Sequence, residues 1–542
     1  MENIKKIILS TVPEAVIEEK QKLTVTVEPD KLHQLAKELK ENKESNFDFL
    51  AQLLGVDYGD KLGVVYFLSS TEDMTREVVL KTATSDKVNP LLDSVTDLWG
   101  TANFNEREVY AMFGIRFVNN PDMRKFFLNQ DWDGYPLRKD YDSNPVLNPV
   151  DIESKPIIDQ SLRITRDADG NIKEEKYCLF EPDDYIINIG PQHPSTHGVM
   201  HFRTVLDGEI IKNMDVISGY IHRGIEKLSE NLTYPQILHF TDRLDYLSAQ
   251  INRHALCMCI EKAAEIEVPL RAEHIRVIMD ELQRIASHLV AWAAMCNDMG
   301  STTAFIYGFR EREYILDIFE KSSGGRFLPN YNVIGGVMFD VYDDFEKDVK
   351  AFIPIMRKAL KEYERLFTHN VIALGRMKGV GILPKDEAIS YGVTGVVGRG
   401  SGINVDMRRD CPYSIYDKVE FNVIVRDECD SYARYLNRLD EMEESLKIIE
   451  QLLPLPEGDF QAKTKAIIKL PEGEFWQRVE TGRGEFGVFI ESHGDKTPYR
   501  LHFRSPSMTM VEVMPLISKG EKVSDFIAIG GSMDYVIPDI DR

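Results

Sequence analysis

The stretch PLRAEHIRVIMDELQRIASHLVAWAAMCNDMG, residues 269–300, carries the clearest structural signal in the sequence. Its apolar residues recur at intervals of three and four: Ile275, Ile278, Met279, Leu282, Ile285, Ala286 and Leu289. This spacing places them on one face of an α-helix. Pro269 occupies the position of a first helical residue, and Gly300 that of a helix end. We therefore predict a long amphipathic helix at the centre of a mainly helical domain.

Comparable periodic patterns predict the helices around this central one. They cover residues 235–265, 309–322, 343–368 and 430–453. Glycine-rich segments with β-like character follow at 391–425 and 484–537. In the predicted helix 235–265, Tyr246 shares with Asp242 and Arg253 a face opposite the apolar stripe. That face looks either to water or into a polar cavity.

The region before this domain has a different texture. A polar, helix-like stretch at 29–44 precedes β-branched runs such as 62–68, a mixture typical of an α/β unit. We therefore predict an α+β protein with an N-terminal α/β domain over residues 1–145. A proline-containing linker with one hairpin follows over 146–184. A large, mainly helical domain with flanking β segments occupies 185–542.

Composition narrows the possible functions. The chain has 542 residues, 65 basic and 88 acidic, for a net charge of −23, and 43% are hydrophobic. Such a chain is globular rather than disordered. The acidic balance argues against a nucleic-acid partner, because phosphate recognition needs a basic surface. The sequence shows neither a transmembrane stretch nor a signal peptide, so we expect a cytoplasmic protein that meets a membrane only through a partner.

Several motifs that carry chemistry are missing. The six cysteines include no Cys-x-x-Cys pair, so we expect reduced, mostly buried thiols and no metal bound by this chain. The sequence also lacks the P-loop, the Rossmann fingerprint and the common hydrolase signatures. Neither nucleotide binding nor hydrolysis by this chain is therefore expected.

The segment GPQHPSTHG, residues 190–198, places two histidines, His193 and His197, four residues apart. Its prolines and flanking glycines predict a turn rather than a helix. One interpretation is a strand-to-strand connection with solvated histidines. The other is a constrained loop that presents an imidazole to a ligand, since histidine exchanges protons near neutral pH.

Asp298 stands at the end of a strongly apolar stretch, residues 289–296. A carboxylate in that position either caps a helix end or is buried with a partner, because an unpaired buried charge is costly. Capping is the more common arrangement.

A family resemblance follows from several motifs taken in order. GPQHPSTHG (190–198), IHRGIEKL (221–228) and DRLDY (242–246) resemble the D subunit of respiratory complex I, the NADH:quinone oxidoreductase. RGSGI (399–403), residues 413–421, GEFG (484–487) and the terminal Asp541-Arg542 are similar to the same protein. EREVY (106–110) and GYPLRKD (134–140) resemble the C subunit. The chain is thus identified as a member of the fused C/D subunits of bacterial complex I.

The D subunit is related to the large subunit of nickel–iron hydrogenases, which hold their metals with two Cys-x-x-Cys pairs. Where the first pair would lie, this chain has Asp245 and Ser248, and residues 534–539 contain no cysteine. Thiolate ligation is therefore excluded there. The resemblance implies that the emptied site has become part of a quinone cavity.

The resemblance also implies roles for individual residues. His197 and Tyr246 would hold the quinone head group, either menaquinone or ubiquinone, and Asp298 would pair with His197. His193 and Asp242 would contribute to binding. His222 and Arg223 would lie near the terminal iron–sulfur cluster of the neighbouring B subunit and tune its potential. For Arg223, a buried structural pair is the alternative.

The function implied is that of a peripheral-arm subunit that forms the quinone site and couples electron transfer to proton translocation. Its partners would be the B subunit, the iron–sulfur subunits of the peripheral arm and the quinone-channel membrane subunit. It would lie on the cytoplasmic face of the bacterial inner membrane. Two alternatives remain: a subunit of a related ferredoxin-fed or hydrogenase-like membrane oxidoreductase, and a non-catalytic scaffold.

Overall fold

The computed structural model describes residues 2–141, 160–167 and 169–542. Its N-terminal part mixes helices and strands, as predicted. The helices are α1 (Glu2–Thr11), α2 (Leu32–Glu41) and α3 (Ala102–Phe113). The strands are β1 (Val16–Glu19), β2 (Leu23–Thr26), β3 (Phe49–Asp57), β4 (Leu62–Ser70), β5 (Asp73–Thr84), β6 (Leu91–Asp93) and β7 (Arg116–Val118). The first five strands form one sheet in the order β1-β2-β5-β4-β3, with β2 and β5 parallel.

A hairpin follows in the predicted linker. Strands β8 (Gln160–Arg166) and β9 (Ile172–Cys178) pair antiparallel around a turn that begins at Asp167, which confirms the hairpin. Backbone bonds from Asn119 to Ile164 (2.7 Å) and from Met123 to Leu162 (3.0 Å) attach it to the N-terminal part. Residues 146–159 and 168 of the predicted linker lie outside the described residues, and the domain limits stay a prediction.

The rest of the chain is mainly helical with short sheets at its edges. The strands are β10 (Tyr185–Ile189), β11 (Gln192–His193), β12 (Gly198–Val199), β13 (His201–Asp207), β14 (Ile210–Ile217), β15 (Asn332–Val333), β16 (Gly336–Val337), β17 (Gly473–Glu480), β18 (Glu485–Ser492) and β19 (Arg500–Arg504). The helices are α4 (Ile225–Ser229), α5 (Tyr234–Thr241), α6 (Ala249–Ala263), α7 (Leu270–Asp298), α8 (Thr302–Ser323), α9 (Phe345–Tyr363), α10 (Val371–Met377), α11 (Lys385–Ser390), α12 (Gly395–Arg399), α13 (Met407–Asp410), α14 (Ser431–Gln451), α15 (Pro506–Glu512), α16 (Met514–Ser518), α17 (Val523–Met533) and α18 (Ile537–Asp541). The predicted fold class, α+β, is confirmed.

Helix α7 is the predicted central helix, and Pro269 is the residue just before it rather than its first residue. The polar face of the predicted stripe is buried as well as the apolar one. Arg276, Glu281 and Arg284 are each 0% exposed, because every one of them has an oppositely charged partner. Neighbouring helices α6, α8, α14 and α17 pack around α7. Residues 275–289 of α7 are therefore enclosed in the core on all sides, unlike an amphipathic surface helix.

The single helix predicted at 235–265 is wrong. Helices α5 and α6 are separated by an irregular turn at residues 242–248. The carboxylate of Asp245 accepts a hydrogen bond from the backbone N–H of Leu247 (3.0 Å), and the backbone oxygen of Asp245 accepts from the N–H of Ser248 (3.0 Å). Short polar side chains that bond to nearby backbone compete with the helix in this way. Tyr246 therefore does not share a helix face with Asp242 and Arg253.

The β-like segment predicted at 391–425 is also wrong within the described chain, which shows helices α12 and α13 there. Arg399 at the end of α12 binds Glu441 (2.7 Å) and Glu480 (2.8 Å), all three buried. Arg408 in α13 binds Asp406 (2.7 Å). These buried contacts outweigh the local β-propensity of the valines nearby. In 484–537, strands β18 and β19 are followed by helices α15 to α17.

The N-terminal sheet packs directly on the hairpin formed by β17 and β18. Phe67 of β4 stacks on Trp476 of β17 with ring centroids 4.6 Å apart. Arg478 of β17 binds Glu77 of β5 at 2.6 Å, and both are largely buried. Within the described residues, no helix has the length and apolar character needed to cross a bilayer.

Candidate functional site

The loop between β10 and β13 is a compact turn, as predicted. Strands β11 and β12 pair within it, and a short 3-10 helix covers Pro194–Thr196. The Nδ1 of His193 accepts a hydrogen bond from the backbone N–H of Ser195 (3.2 Å). His197 follows with a left-handed φ of 54°, a conformation that non-glycine residues adopt rarely. These contacts determine the direction in which His197 points.

His197 and Asp298 form the first feature of the site. The Nε2 of His197 lies 2.7 Å from Oδ2 of Asp298, the last residue of α7. A negative charge at a helix C-terminus is unfavourable because of the helix dipole, so a cationic partner there compensates it. Of the two interpretations of Asp298, the structure favours pairing: the carboxylate is partly buried and has His197 as its partner. Of the two interpretations of the loop, the structure favours a constrained imidazole for His197.

The charge state of His197 depends on this contact. Burial disfavours the imidazolium, but the hydrogen bond and the charge of Asp298, with a smaller contribution from Asp534, outweigh it. The pKa of His197 is therefore raised above 6.5. The Nδ1 atom is the ring nitrogen that Asp298 does not engage. The contact with Asp298 thus favours the imidazolium form, in which Nδ1 also carries a proton.

Tyr246 lies in the turn at 242–248 and is half-buried. Its ring packs against Phe327 with centroids 5.7 Å apart. Burial raises the pKa of its phenol, the charge of Arg483 opposes the rise, and Asp245 and Asp534 add to it. The hydroxyl therefore stays protonated near neutral pH and is able to donate a hydrogen bond.

Arg483 is a site residue that the sequence analysis missed. Its side chain is completely buried between Asp245 and Asp534, at 2.9 and 3.0 Å. Asp534 also acts on the pKa values of both His197 and Tyr246. His197 and Tyr246 therefore both lie within the electrostatic influence of Asp534, which is paired with Arg483. The flanking glycines, Gly482 and Gly484, between two β-like runs are the signal that could have indicated Arg483.

The place at which the hydrogenase resemblance would put metal ions is occupied by the ion pairs of Arg483. Asp245 binds the guanidinium of Arg483 through both carboxylate oxygens, at 3.2 and 2.9 Å. A cation such as a metal ion would compete with that guanidinium for the same oxygens. The residues present therefore do not fit a hydrogenase-type metal centre.

A second cluster of possible metal ligands is likewise paired with arginine side chains. Glu108, Glu226 and His502 offer atoms within 4.8 Å of one another. However, Arg500 donates to Glu226 at 2.6 Å, and the guanidinium of Arg542 donates to Glu108. The cluster is thus a buried ion-pair network that joins α3, α4, β19 and the C-terminal residue.

The other predicted site residues contact partners other than His197 and Asp298. Asp242 is completely buried and binds Arg253 at 3.1 Å. Burial raises the pKa of its carboxyl to about 6, against the opposing charge of Arg253. Asp242 therefore supports the turn from inside. His193 is exposed on the loop. A direct binding role for either residue stays a prediction.

His222 and Arg223 lie next to the last two residues of the chain. The ring of His222 stacks on Phe127 (5.3 Å, 2° between planes), and its Nδ1 lies 2.6 Å from the backbone oxygen of Asp541. Arg223 is exposed, and its Nη2 donates to the backbone oxygen of Arg243 at 3.1 Å. The alternative of a buried structural pair for Arg223 is therefore wrong. All six cysteines are free thiols, and Cys257, Cys259 and Cys296 are buried.

The raised pKa of His197 predicts a pH-dependent contribution to stability. Its contact with Asp298 stabilises the fold fully below the unfolded-state pKa of about 6.5, and the contribution is lost as pH rises through the folded-state pKa. We expect His197→Gln to lower the thermal unfolding midpoint more at pH 6 than at pH 9. The control is His369→Gln, whose side chain is 68% exposed beside Glu364. An equal effect of His197→Gln at both pH values would contradict the charged pair.

Two protein-family models match this chain, one in its N-terminal part and one in its C-terminal part. A family model described as Respiratory-chain NADH dehydrogenase, 30 Kd subunit, matches residues 25–146. One described as Respiratory-chain NADH dehydrogenase, 49 Kd subunit, matches residues 298–469 and 459–542.

Relatives of both the fused and the separate type are similar to this chain. The C/D subunit of NADH-quinone oxidoreductase from Phocaeicola vulgatus is 53% identical over 521 residues, covering 96% of this chain and 99% of that protein. The corresponding C/D protein of Bacteroides thetaiotaomicron is 54% identical over 516 residues, 93% and 97% of the two chains. The separate D subunit of the same enzyme from Geobacillus kaustophilus is 48% identical over 365 residues, 67% of this chain and all of that protein. The chain therefore belongs to the family of fused C/D subunits of NADH-quinone oxidoreductase.

Proposed function

We propose that this chain is the peripheral-arm subunit of a proton-translocating NADH:quinone oxidoreductase that forms the quinone-reduction site. The observation that carries the proposal is the His197–Asp298 contact at 2.7 Å. The half-buried phenol of Tyr246 supports it, because Asp534 acts on the pKa values of both His197 and Tyr246. Membership of the C/D family supports the reaction. The roles of His197, Tyr246 and Asp298 follow from the family resemblance, and the His197–Asp298 contact supports them.

Reduction of a quinone to a quinol requires two electrons and two protons. Negative charge develops on each carbonyl oxygen as the electrons arrive, so a hydrogen-bond donor at each oxygen stabilises the change. The Nδ1–H of His197 serves one oxygen and the hydroxyl of Tyr246 the other. His197, protonated through its contact with Asp298, delivers one proton, the hydroxyl of Tyr246 delivers the other, and both groups are reprotonated from water before the next turnover.

Proton transfer from His197 also changes the charge beside Asp298. Once the imidazole is neutral, the carboxylate at the end of α7 has lost its cationic partner, and the helix dipole disfavours it in that position. Asp298 then moves or takes up a proton. We propose that this local electrostatic change couples quinone reduction to proton translocation in the membrane subunits.

The electrons enter from a neighbouring subunit. The proposed source is the terminal iron–sulfur cluster of the B subunit, next to His222 and Arg223. The exposed guanidinium of Arg223 would stabilise the reduced cluster by its positive charge. The other proposed partners are the iron–sulfur subunits of the peripheral arm and the quinone-channel membrane subunit. The assembly would place this chain on the cytoplasmic face of the bacterial inner membrane.

Replacement of Tyr246 by Phe tests the site directly. The change removes one hydroxyl and keeps the ring that packs on Phe327. We expect NADH:quinone turnover in membranes to fall roughly tenfold to a hundredfold, since a hydrogen bond to a charged group contributes about 1.5–3 kcal/mol. NADH:ferricyanide activity, which bypasses the quinone site, should not change. Tyr314→Phe, at an exposed tyrosine of α8, is the control. Unchanged quinone turnover in Tyr246→Phe would support the scaffold alternative.

Replacement of Asp298 by Asn tests the coupling. The amide keeps the shape of the side chain but removes the charge that responds to His197. We expect fewer protons translocated per electron pair in sealed membrane vesicles, even where quinone reduction persists. Asp317→Asn, on the exposed side of α8, is the control. A proton-to-electron ratio equal to that of the native enzyme would exclude this role.

A further inference from the structure

The hairpin between β17 and β18 inserts an arginine into the interior of the helical domain. The turn closes with a hydrogen bond from the N–H of Thr481 to the backbone oxygen of Gly484 (2.8 Å). At its tip, Arg483 has a side-chain exposure of 0%. A Cβ atom on the preceding Gly482 would lie 3.2 Å from the hydroxyl of Ser287 in α7. The tip therefore touches the central helix, and little space separates them.

The guanidinium of Arg483 bonds in two directions. On one side, Nη1 donates to the carboxylate of Asp245 (2.9 Å) and to the hydroxyl of Ser287 (2.8 Å). On the other side, Nη2 donates to Oδ1 of Asp534 (3.0 Å), and Nε donates to the backbone oxygen of the same residue (2.8 Å). One planar group thus fixes the relative position of two segments that are far apart in sequence.

The first of these segments carries Tyr246. Asp245 is its neighbour in the turn at 242–248, and the carboxylate of Asp245 also accepts from the backbone N–H of Leu247. The Arg483–Asp245 contact therefore holds the backbone on both sides of Tyr246.

The second segment supports His197. Asp534 follows α17 directly and has a left-handed φ of 59°. A Cβ atom on Gly531 of α17 would lie 3.4 Å from Oδ2 of Asp298. Next to His197, a Cβ atom on Gly198 would lie 2.6 Å from the side chain of Ile537 in α18. The His197 loop and Asp298 thus both rest on the corner between α17 and α18, and Arg483 fixes that corner.

We propose that Arg483 is a positioning residue for quinone reduction, which sets the separation between the Tyr246 hydroxyl and the His197–Asp298 pair. This inference rests on the proposed function. Two donors can serve the two carbonyl oxygens of one head group only when their spacing is fixed to within a fraction of an ångström. The positive charge also opposes the rise in the pKa of Tyr246 that burial causes.

Arginine is suited to this task and lysine is not. The guanidinium is planar and presents several N–H groups in fixed directions, whereas an ammonium is a point charge on a flexible stem. A lysine at this position would keep the buried positive charge that Asp245 and Asp534 need. It would reach one carboxylate well but would not bridge both. Arg483→Lys therefore separates the role in positioning from the role in charge compensation.

The experiment compares Arg483→Lys with Arg478→Lys in membranes that contain the assembled enzyme. Arg478 lies on the same hairpin and is buried, but it binds Glu77 of the N-terminal sheet and Glu485 of β18 instead. The substrates are decylubiquinone and a short-chain naphthoquinone, with NADH:ferricyanide activity as the measure of assembly. For Arg483→Lys we expect kcat with quinone to fall at least tenfold, KM to change less than threefold, and ferricyanide activity to stay the same. Arg478→Lys should keep kcat within twofold of the native value.

Combination with Tyr246→Phe identifies the route by which Arg483 acts. If Arg483 works by placing the Tyr246 hydroxyl, the double variant should be no slower than Tyr246→Phe alone, because the two losses concern the same interaction. Losses that multiply, or equal kcat values for Arg483→Lys and Arg478→Lys, would overturn the inference. If Tyr246→Phe itself keeps native turnover, the proposed function fails rather than this inference.

A milder variant keeps the test decisive if Arg483→Lys does not assemble. Asp245→Asn retains the shape and an acceptor oxygen for Arg483 but weakens the contact by removing its charge, while Asp534 still pairs with Arg483. We expect a reduction of kcat of at least threefold at an unchanged ferricyanide activity. A native kcat in this variant would overturn the inference.

Discussion

Compensation of buried charge is the constraint that organises the core around α7. An ionised side chain taken out of water costs several kcal/mol unless an oppositely charged, hydrogen-bonded partner meets it. Arg276 meets Glu261 at 2.6 Å, and Glu281 accepts from Arg284 and Arg408 at 3.2 Å. Glu261 and Arg408 come from other parts of the chain than α7, so these charges fix how those parts are arranged around the helix.

The same constraint produces the irregular segments that form the candidate site. The turn at 242–248 interrupts what would otherwise be one helix, and its Asp245 reaches Arg483 at 2.9 Å. The loop at 190–198 brings an imidazole to the carboxylate at the end of α7. In both places the chain departs from regular structure where a buried charge needs a partner, and in both places the departure exposes a donor: the phenol of Tyr246 and the ring of His197.

Some of these features could be predicted from the local sequence and others could not, because the latter depend on contacts between distant parts of the chain. The helix at 270–298 and the hairpin near 167–171 follow from local periodicity and turn chemistry, and both are found. The break between α5 and α6 was not predicted: Asp245 interrupts the helix by bonding to nearby backbone, and its carboxylate is also held by a guanidinium 238 residues away in sequence. The helices at 395–410 were likewise hidden by valines that favour strands locally. For the site, the motifs indicated His197, Tyr246 and Asp298, while Arg483 became visible only when Asp245 and Asp534 were seen to share it.

In the proposed site, one quinone head group lies between His197 and Tyr246. The most direct measurement is an electron cryo-microscopy map of the assembled enzyme with a short-chain quinone bound. The account predicts one carbonyl oxygen within about 3 Å of the Nδ1 of His197 and the other at a similar distance from the hydroxyl of Tyr246. A head group bound elsewhere, with neither side chain within hydrogen-bond distance of it, would contradict the account.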